Sequence, residues 1–315
     1  MILIVSYPDE DHTLAVMPHL VARRQRFTLF DLASLPAQAS LTANWSVESP
    51  SKFHYAWSGR EVDLNEIRVG WWRRVRPHTV SPQLTNPRWQ AFAQNETSQA
   101  VQGVLDSLLC TWINPRLSDE AAHRKPYQLT LARQLGIAIP RTLVTNDPAQ
   151  AKDFLEQLAP RKAVCKAFIA LVESWRETRL VTTQDCDQLE DVRFAPVIFQ
   201  EYVEGIDLRI IVVGERIFTV QIDARETSYP IDMRMVIGEA KTSAFELPQT
   251  ICDQIHRLMR ALNLTYGAID MKLTDSGDFI FLEVNPAGQW LFVERLTGLP
   301  ISQAVADLLS DLNTP

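Results

Sequence analysis

The stretch of residues 267–285, near the C-terminus, reads GAIDMKLTDSGDFIFLEVN, and the rest of the chain is interpreted outward from it. Apolar residues alternate with polar or small ones in both of its halves, and the central TDSGD consists of turn formers. This pattern predicts an antiparallel hairpin. A turn centred on Ser276 and Gly277 places Asp270 directly opposite Glu283 and turns five apolar residues to a buried face. These are Ile269, Met271, Ile280, Leu282 and Val284.

Two carboxylates that face each other on a hairpin need a counter-ion. Cross-strand partners have Cβ atoms about 4.5–5.5 Å apart, and like charges at that separation repel. Asn285 lies one pleat beyond Glu283 on the same face and adds a third oxygen donor. Mg²⁺ prefers oxygen ligands and is usually held by one or two carboxylates plus substrate phosphates. The hairpin therefore predicts a magnesium site at Asp270, Glu283 and Asn285, with a solvated acidic face as the alternative.

Composition bounds the class of protein. The 315 residues are enough for two or three domains, and 46% of them are hydrophobic, which suffices for real cores. The formal net charge is -7 and there is no basic stripe, so no nucleic-acid partner is expected. Residues 1–5 are apolar but too few for a signal peptide, and no run is long enough to cross a bilayer. The cysteines lack metal-ligand or redox spacing. We therefore expect a cytoplasmic protein without a membrane partner.

Residues 1–116 alternate strand and helix signals and predict an N-terminal α/β domain. The predicted elements are strand 1–5, helix 11–24, strand 27–30, a hairpin of 52–57 and 60–62 that turns at Ser58-Gly59, helix 89–110 and strand 111–115. The run GWWRRVR at 70–76 places three arginines at a strand end, which is costly unless they meet anions or line a groove. Arg73 and Arg74 are therefore candidate substrate contacts, and solvated basic residues are the alternative.

Residues 117–196 predict a central domain. Its elements are helix 118–135, strand 141–144, a helix from the Asn146-Asp147-Pro148 cap to about residue 158, strand 162–167 and a returning strand 179–183. Lys166 has apolar neighbours in its strand, so its ammonium needs an anion. Residues 169–178 predict a loop that folds over phosphates; it contains Arg176 but no glycine, so it is not a Walker-type loop.

Residues 197–315 predict a C-terminal domain that contains the hairpin. Its other elements are strands 197–203, 208–213 and 217–223, a polar connection 225–235, helix 248–262 and the last helix, 301–312. The sequence has no internal repeat and no low-complexity segment.

Taken together, these residues resemble the ATP-grasp superfamily. The spacing of Asp270, Glu283 and Asn285, the last two within LEVNP, is similar to that superfamily's metal-ligand signature. The resemblance implies an α/β ATP-grasp fold of three domains, with the nucleotide between the central and C-terminal sheets. It also implies ATP and Mg²⁺ as cofactors, with two magnesium ions.

The resemblance assigns roles to individual residues. Arg209 resembles the arginine that faces the reacting phosphate and carboxylate, and with Lys166 and Arg225 it makes up the implied catalytic set. The implied nucleotide-binding set is Lys125 and Lys166 on the phosphates, Gln200, Glu201, Tyr202 and Val203 along the adenine edge, and Asp207 or Glu204 on the ribose hydroxyls.

A closer resemblance covers essentially the whole chain. The segments that carry it are GWWRRVR (70–76), the helix at 125–136, FQE (199–201), GAIDM (267–271) and PISQA (300–304), which are similar to the microviridin-type ribosomal peptide maturases, the graspetide ligases. This resemblance implies an enzyme that activates Asp or Glu side chains of a precursor peptide as acyl phosphates. It would join them to Thr or Ser as esters, or to Lys as amides, and so form macrocycles.

The same resemblance bears on the partner. Asp232 and Arg234 are similar to an Asp-x-Arg element that handles the precursor, and the leader segment is expected to contact residues 225–234. Whether the chain forms a homodimer stays open.

Two departures from the ATP-grasp pattern matter. Residue 268, where several ligases have a phosphate-binding arginine, is alanine, so Lys272 or Arg225 is expected to supply the charge. The run PAGQW at 286–290 differs from the proline-glycine ending of amino-acid ligases and leaves the acceptor pocket undefined. The sequence shows no obvious general base. His12, His54 and His123 are candidates without supporting context, and each is expected to be structural or incidental.

Two other functions stay open. One is a ligase that adds an amino acid to a protein terminus or a small metabolite, which phosphate release with free amino acids would reveal. The other is a nucleotide-binding regulatory module without chemistry. Lys166, Arg209 and the three predicted metal ligands argue against the module, because adenine binding alone requires none of them.

Overall fold

The N-terminal domain is built on a parallel sheet. The computed structural model describes residues 1–166 and 178–314. The elements are β1 (Ile2–Val5), α1 (Asp11–Ala22), β2 (Phe27–Phe30), β3 (Ala39–Asn44), β4 (Lys52–Trp57), β5 (Arg60–Asp63), β6 (Val69–Trp72), α2 (Pro87–Asp106) and β7 (Thr111–Ile113). The parallel sheet has the order β2-β1-β6-β7, and β3, β4 and β5 form a separate antiparallel sheet. The predicted turn is confirmed, with Ser58 and Gly59 at φ 52° and 74°. Strand β3 was not predicted.

The central domain is an antiparallel sheet with helices beside it. Its elements are α3 (Arg116–Ala122), α4 (Lys125–Gln134), β8 (Thr142–Thr145), α5 (Pro148–Leu158), β9 (Ala163–Lys166), β10 (Arg179–Leu180), α6 (Thr183–Asp187) and β11 (Val197–Glu201). The strand order is β10-β9-β11-β8. The single helix predicted at 118–135 is wrong, because the chain breaks it into α3 and α4 and Lys125 begins the second one. Strand β11, which begins at the predicted boundary between residues 196 and 197, pairs with β8 and β9 of this sheet.

The C-terminal domain is a five-stranded antiparallel sheet. Its elements are β12 (Ile206–Val213), β13 (Arg216–Asp223), β14 (Lys241–Ala244), α7 (Gln249–Ala261), β15 (Tyr266–Leu273), β16 (Phe279–Asn285), α8 (Leu291–Thr297) and α9 (Ile301–Leu312). The strand order β14-β13-β12-β15-β16 puts the predicted hairpin at one edge. Strand β14 and helix α8 were not predicted.

The hairpin has the predicted pairing at the site but not near its turn. Asp270 is paired with Glu283, while Met271 is paired with Phe281, so a β-bulge leaves Leu282 extra on one strand. The predicted buried face is therefore wrong at two positions. Phe281 is buried against the core, whereas Ile280 and Leu282 are only partly buried.

One apolar core joins the N-terminal and C-terminal domains. Helix α1 lies against α9, and residues from both domains share a buried cluster that includes Ile4, Leu20, Trp290, Val305 and Leu309. The loop that follows the hairpin is thereby packed between two domains, since the Trp290 side chain is completely buried.

The predicted phosphate-covering loop, 169–178, lies outside the described residues except for Thr178, and Arg176 lies outside them as well. Within the described ranges, no helix combines the length and the apolar character needed to span a bilayer.

Candidate active site

The site is centred on the two facing acids of the hairpin, and each acid carries its own cation. Arg209 is the cross-strand neighbour of Asp270 on β12, and its Nη1 donates to Oδ1 and Oδ2 at 2.8 and 3.0 Å. Lys125, at the start of α4, places Nζ 2.7 Å from Oε2 of Glu283. Strand β12 of the C-terminal domain and helix α4 of the central domain therefore bring their cations to one pair of carboxylates.

The two acids differ in their electrostatics. Burial raises the pKa of Asp270 despite the Arg209 guanidinium, and the nearby Glu283 carboxylate raises it further. Burial also opposes ionisation of Glu283, but the Lys125 ammonium outweighs it and lowers the pKa of Glu283 to about 2. The pair thus concentrates negative charge where a cation would relieve the repulsion.

These donors fit a magnesium ion. Carboxylate oxygens of two strands and an amide oxygen are the hard ligands that Mg²⁺ takes, with the remaining positions left for phosphates and water. Asn285 is exposed and paired with Ala268, and its Oδ1 accepts a hydrogen bond from the Ala287 amide at 3.0 Å. An amide oxygen has two lone pairs, so this bond leaves it able to bind a metal.

Lys166 lies at the end of β9 and faces the acids from the central sheet. Its Nζ donates to Oε1 of Gln200 at 2.7 Å, and Nε2 of Gln200 donates to Oγ1 of Thr142 at 2.9 Å. Burial lowers the pKa of Lys166 to about 8; Glu283 opposes this change, while Lys125 adds to it. Gln200 therefore positions the lysine, and its own predicted contact with adenine stays a prediction.

This lysine is expected to make nucleotide binding weaker at alkaline pH. As the pH rises through about 8, the Lys166 ammonium loses its proton while the nucleotide phosphates keep their charge. The affinity of the free protein for ADP should then fall by up to about tenfold per pH unit. Calorimetric titrations from neutral pH to about pH 9 measure the decline. Lys166→Arg should remove most of it, since the guanidinium stays charged; an equally steep decline in that variant would contradict the role of Lys166.

A cleft between the central and C-terminal sheets connects these groups. Its charged lining comprises Lys166, Asp207, Asp232, Arg234, Asp270, Lys272 and Glu283. The structure thus brings together predicted phosphate-binding, ribose-binding, metal-binding and precursor-binding residues. Arg209 and Lys125 reach the same place through their ion pairs with the two acids.

Lys272, one of the two residues expected to supply positive charge in place of the missing arginine, lies at the cleft, and that role stays a prediction. Its Nζ lies 2.8 Å from Oδ2 of Asp207, and both side chains are buried at the cleft. Burial raises the pKa of Asp207 to about 6, although Lys272 opposes the rise. An arginine at residue 268 has no room, because Ala268 is fully buried and a Cβ added at Gly288 would lie 2.3 Å from the Ala268 Cβ.

The Asp-x-Arg element forms one wall of the cleft. It lies on the short 3-10 turn Met233–Met235, where Nε of Arg234 donates to Oδ1 of Asp232 at 2.7 Å. The Thr178 amide donates to the other oxygen, Oδ2, at 3.3 Å. Burial would raise the pKa of Asp232, but the Arg234 guanidinium reverses the change and lowers it. Arg234 therefore lies in the same cleft as the paired acids, where its positive charge also lowers the pKa of Glu283.

The predicted adenine-binding residues connect β11 to β12. Glu201 accepts from Nη1 of Arg161 at 2.8 Å, and the Tyr202 amide donates to the Lys162 carbonyl at 2.9 Å. Glu204 is exposed and lies 3.4 Å from Nζ of Lys162. Val203 belongs to the same connection. These contacts put the segment at the junction of the two sheets, and its binding of adenine stays a prediction.

Three predicted site residues are not brought into the cleft. Arg225 is exposed and bonds to Asp223 and Asp275, so it is not placed to act on a substrate. Arg73 is only 2% exposed, and the expectation that it contacts substrate is wrong because its guanidinium binds protein carbonyls. Arg74 is exposed, and its contact with substrate stays a prediction.

The three histidines lie away from the paired acids. His12 is buried and bonds to Glu10, and among the described residues none of the three lines the cleft. The residues that the sequence did not reveal are Asn114 and Tyr266. Both contact the backbone of the loop after Asn285. In the sequence, these two residues differ from their neighbours only in being polar residues at the ends of otherwise apolar strands.

Two facing sheets with a cleft lined by lysines and paired acids define the class of ATP-grasp ligases. Residues 1–120 match the family described as the MvdD pre-ATP grasp domain, and residues 122–309 match the RimK-like ATP-grasp domain. The chain belongs to the RimK-like ATP-grasp family. The predicted ATP-grasp fold is confirmed. No curated protein matches this chain.

Solved structures of peptide-modifying enzymes are similar over the full length. The macrocyclase MdnC from Microcystis aeruginosa MRC, bound with precursor peptide MdnA, is 31% identical with a TM-score of 0.88, covering 98% of this chain and 99% of that one. A RiPP-associated ATP-grasp ligase from Chryseobacterium gregarium, in complex with ADP and a leader and core peptide, is 25% identical with a TM-score of 0.90, covering 100% and 97%. The macrocyclase MdnB from Microcystis aeruginosa MRC is 28% identical with a TM-score of 0.82, covering 98% of both chains. The predicted resemblance to ribosomal peptide maturases is confirmed.

Proposed function

We propose that this enzyme uses ATP to activate Asp or Glu side chains of a ribosomally made precursor peptide and joins them to Thr, Ser or Lys side chains as macrocycles. The observation that carries the proposal is the cleft in which Lys166 and Arg234 face the paired acids Asp270 and Glu283. The full-length likeness to MdnC, which is bound with its precursor peptide, supports a peptide as the substrate.

The chemistry proceeds in two balanced steps. In the first, a carboxylate oxygen of the peptide attacks the γ-phosphorus of ATP, and the bond from that phosphorus to the bridging oxygen breaks. ADP leaves, and the peptide side chain becomes an acyl phosphate. In the second, a hydroxyl or amine of the peptide attacks the acyl carbon, the bond to the phosphate oxygen breaks, and inorganic phosphate leaves. The attacking group releases one proton. A free carboxylate resists such attack because it is anionic, whereas phosphate is a good leaving group.

The residues of the cleft are suited to the first step, which requires mainly positioning and charge neutralisation. Lys166 and Lys125 would offset the phosphate charge, and Arg209 would face the reacting carboxylate once Asp270 shares its charge with a metal. Asp270, Glu283 and Asn285 would hold two magnesium ions. Bound Mg²⁺ would polarise the phosphoryl oxygens and neutralise the leaving group. Asp232 and Arg234 would contact the precursor.

Co-expression with a precursor peptide tests this function. The natural candidate is a short peptide, encoded beside this gene, with Thr, Ser or Lys and several Asp or Glu residues. We expect mass spectrometry to show the loss of about one water mass per ring. Purified enzyme should release phosphate from ATP only when that peptide is present. Phosphate release with free amino acids, and none with the peptide, would instead indicate a ligase that adds single amino acids.

A further inference from the structure

The loop that follows Asn285, residues 286–290, is held by groups from three separate parts of the fold. The Pro286 carbonyl accepts a hydrogen bond from Nδ2 of Asn114 at 3.1 Å, and the Ala287 carbonyl accepts one from Nη1 of Arg73 at 2.5 Å. The Gly288 carbonyl accepts from Oη of Tyr266 at 2.7 Å and from Nη1 of Arg73 at 3.2 Å. The Gln289 carbonyl accepts from Nη2 of Arg209 at 3.0 Å, and the Trp290 amide donates to Nε2 of His12 at 3.2 Å. Every residue of the loop is thus fixed through its main chain. These main-chain bonds act together with the buried Trp290 side chain to place the loop.

Arg73 is the most unusual of these partners. It follows strand β6 of the N-terminal domain, it is 2% exposed, and its guanidinium lies 4.8 Å from the centroid of the Trp290 ring. Glu10 lies 3.5 Å away, and His12 and Arg73 together outweigh its burial and hold the pKa of Glu10 at about 2. Burying a guanidinium costs several kcal/mol unless charge and hydrogen bonds compensate. Here the compensation comes from Glu10 and from the loop carbonyls.

The loop in turn touches the acid pair. Arg209 uses Nη1 to hold Asp270 and Nη2 to hold the Gln289 carbonyl, so the loop and the acid share one guanidinium. The loop is also packed closely against Arg209 and strand β15. A Cβ added at Gly288 would lie 2.3 Å from the Ala268 Cβ and 3.0 Å from Nη2 of Arg209. A displacement of the loop would therefore displace Arg209 and free Asp270 to move.

We propose that Arg73 is a positioning residue through which the N-terminal domain sets the affinity of the acid pair for Mg²⁺. It holds the Ala287 and Gly288 carbonyls, the loop holds Arg209, and Arg209 holds the Asp270 carboxylate in place. The inference rests on the proposed function, because the magnesium site belongs to it.

The test is the magnesium dependence of ADP binding, measured by calorimetry on the full chain. For Arg73→Gln we expect a rise of about tenfold in the Mg²⁺ midpoint, which is the Mg²⁺ concentration that gives half of the full enhancement of ADP binding. Metal affinity falls by a factor of this size when a group that supports a metal ligand is removed. ADP binding without Mg²⁺ should stay within about twofold of the unmodified protein. Arg73→Lys should recover part of the loss. Arg68→Gln, an exposed arginine before the same strand, is the matched control and should shift nothing.

Tyr266→Phe keeps the proposal testable if Arg73→Gln does not fold. It removes one hydrogen bond to the Gly288 carbonyl and should shift the Mg²⁺ midpoint in the same direction by a smaller factor. A folded Arg73→Gln with an unshifted midpoint, or an unshifted Tyr266→Phe where only that variant folds, would overturn the inference. The variant Asp270→Asn distinguishes a failure of the positioning role of Arg73 from a failure of the proposed magnesium site. If Asp270→Asn shifts the midpoint and the Arg73 and Tyr266 variants do not, only the positioning role fails; if Asp270→Asn has no effect, the magnesium site itself fails.

Discussion

ATP turnover by Glu283→Gln is expected to fall by roughly 10³-fold while the protein remains folded, because charge stabilisation at a transferring phosphoryl group accounts for losses of this size. The change is isosteric and removes one of two carboxylates that face each other across β15 and β16. It also leaves the Lys125 ammonium without its partner at 2.7 Å. Relief of the repulsion with Asp270 compensates for only part of that loss, so the melting temperature should fall although the protein remains folded. The measurement is ADP formation with the precursor peptide present.

Asp278→Asn is the matched control for this variant. Asp278 is an acid of the same hairpin, but it lies in the exposed turn and bonds to Ser276. Its replacement changes the net charge by the same amount and should leave turnover within about twofold, as for most exposed sites. If Glu283→Gln turned over ATP at a normal rate, the assignment of the metal ligands would be removed.

The second large effect is expected for Arg209→Met, which should lower both turnover and stability. Turnover should fall by roughly 10²–10³-fold if, as proposed, this charge faces the reacting groups. The free energy of unfolding should fall by about 3–5 kcal/mol, the cost of removing one partner of a buried pair. Asp270 would be left buried with its two hydrogen bonds to the guanidinium broken. Chemical denaturation and ADP formation measure the two effects separately.

A double variant distinguishes the two contributions. Arg209→Met combined with Asp270→Asn removes the unpaired charge and should restore a substantial part of the stability without restoring turnover. Recovery of both would mean that Arg209 acts only by balancing Asp270. Loss of turnover without any loss of stability would mean that the ion pair contributes little to the folded state.

The hairpin could be predicted from sequence because its periodicity and its turn both specify the same register. Alternation fixed Asp270 opposite Glu283, and the structure has that pair. The bulge at Leu282 was not predictable, because one extra residue does not change the apolar pattern of IFLEV. The surrounding sheet decides which of Phe281 and Leu282 is buried.

The features that the sequence did not predict elsewhere in the chain have a common physical cause. The break between α3 and α4 was missed because helical periodicity continues across it, yet that break puts Lys125 at a helix start beside Glu283. The burial of Arg73 depends on partners more than 200 residues away in sequence, at Ala287 and Gly288. Local pattern specifies elements and their faces, whereas contacts between domains arise only when the whole chain packs.

A crystal structure of the enzyme with ADP and Mn²⁺, a Mg²⁺ substitute whose anomalous signal locates the ion, would show whether the hairpin holds the metal. We expect anomalous density against the side-chain oxygens of Asp270, Glu283 and Asn285, with the nucleotide phosphates lying between that ion and Lys166. Density for the ion elsewhere, with Asp270 and Glu283 still bound only to Arg209 and Lys125, would contradict it.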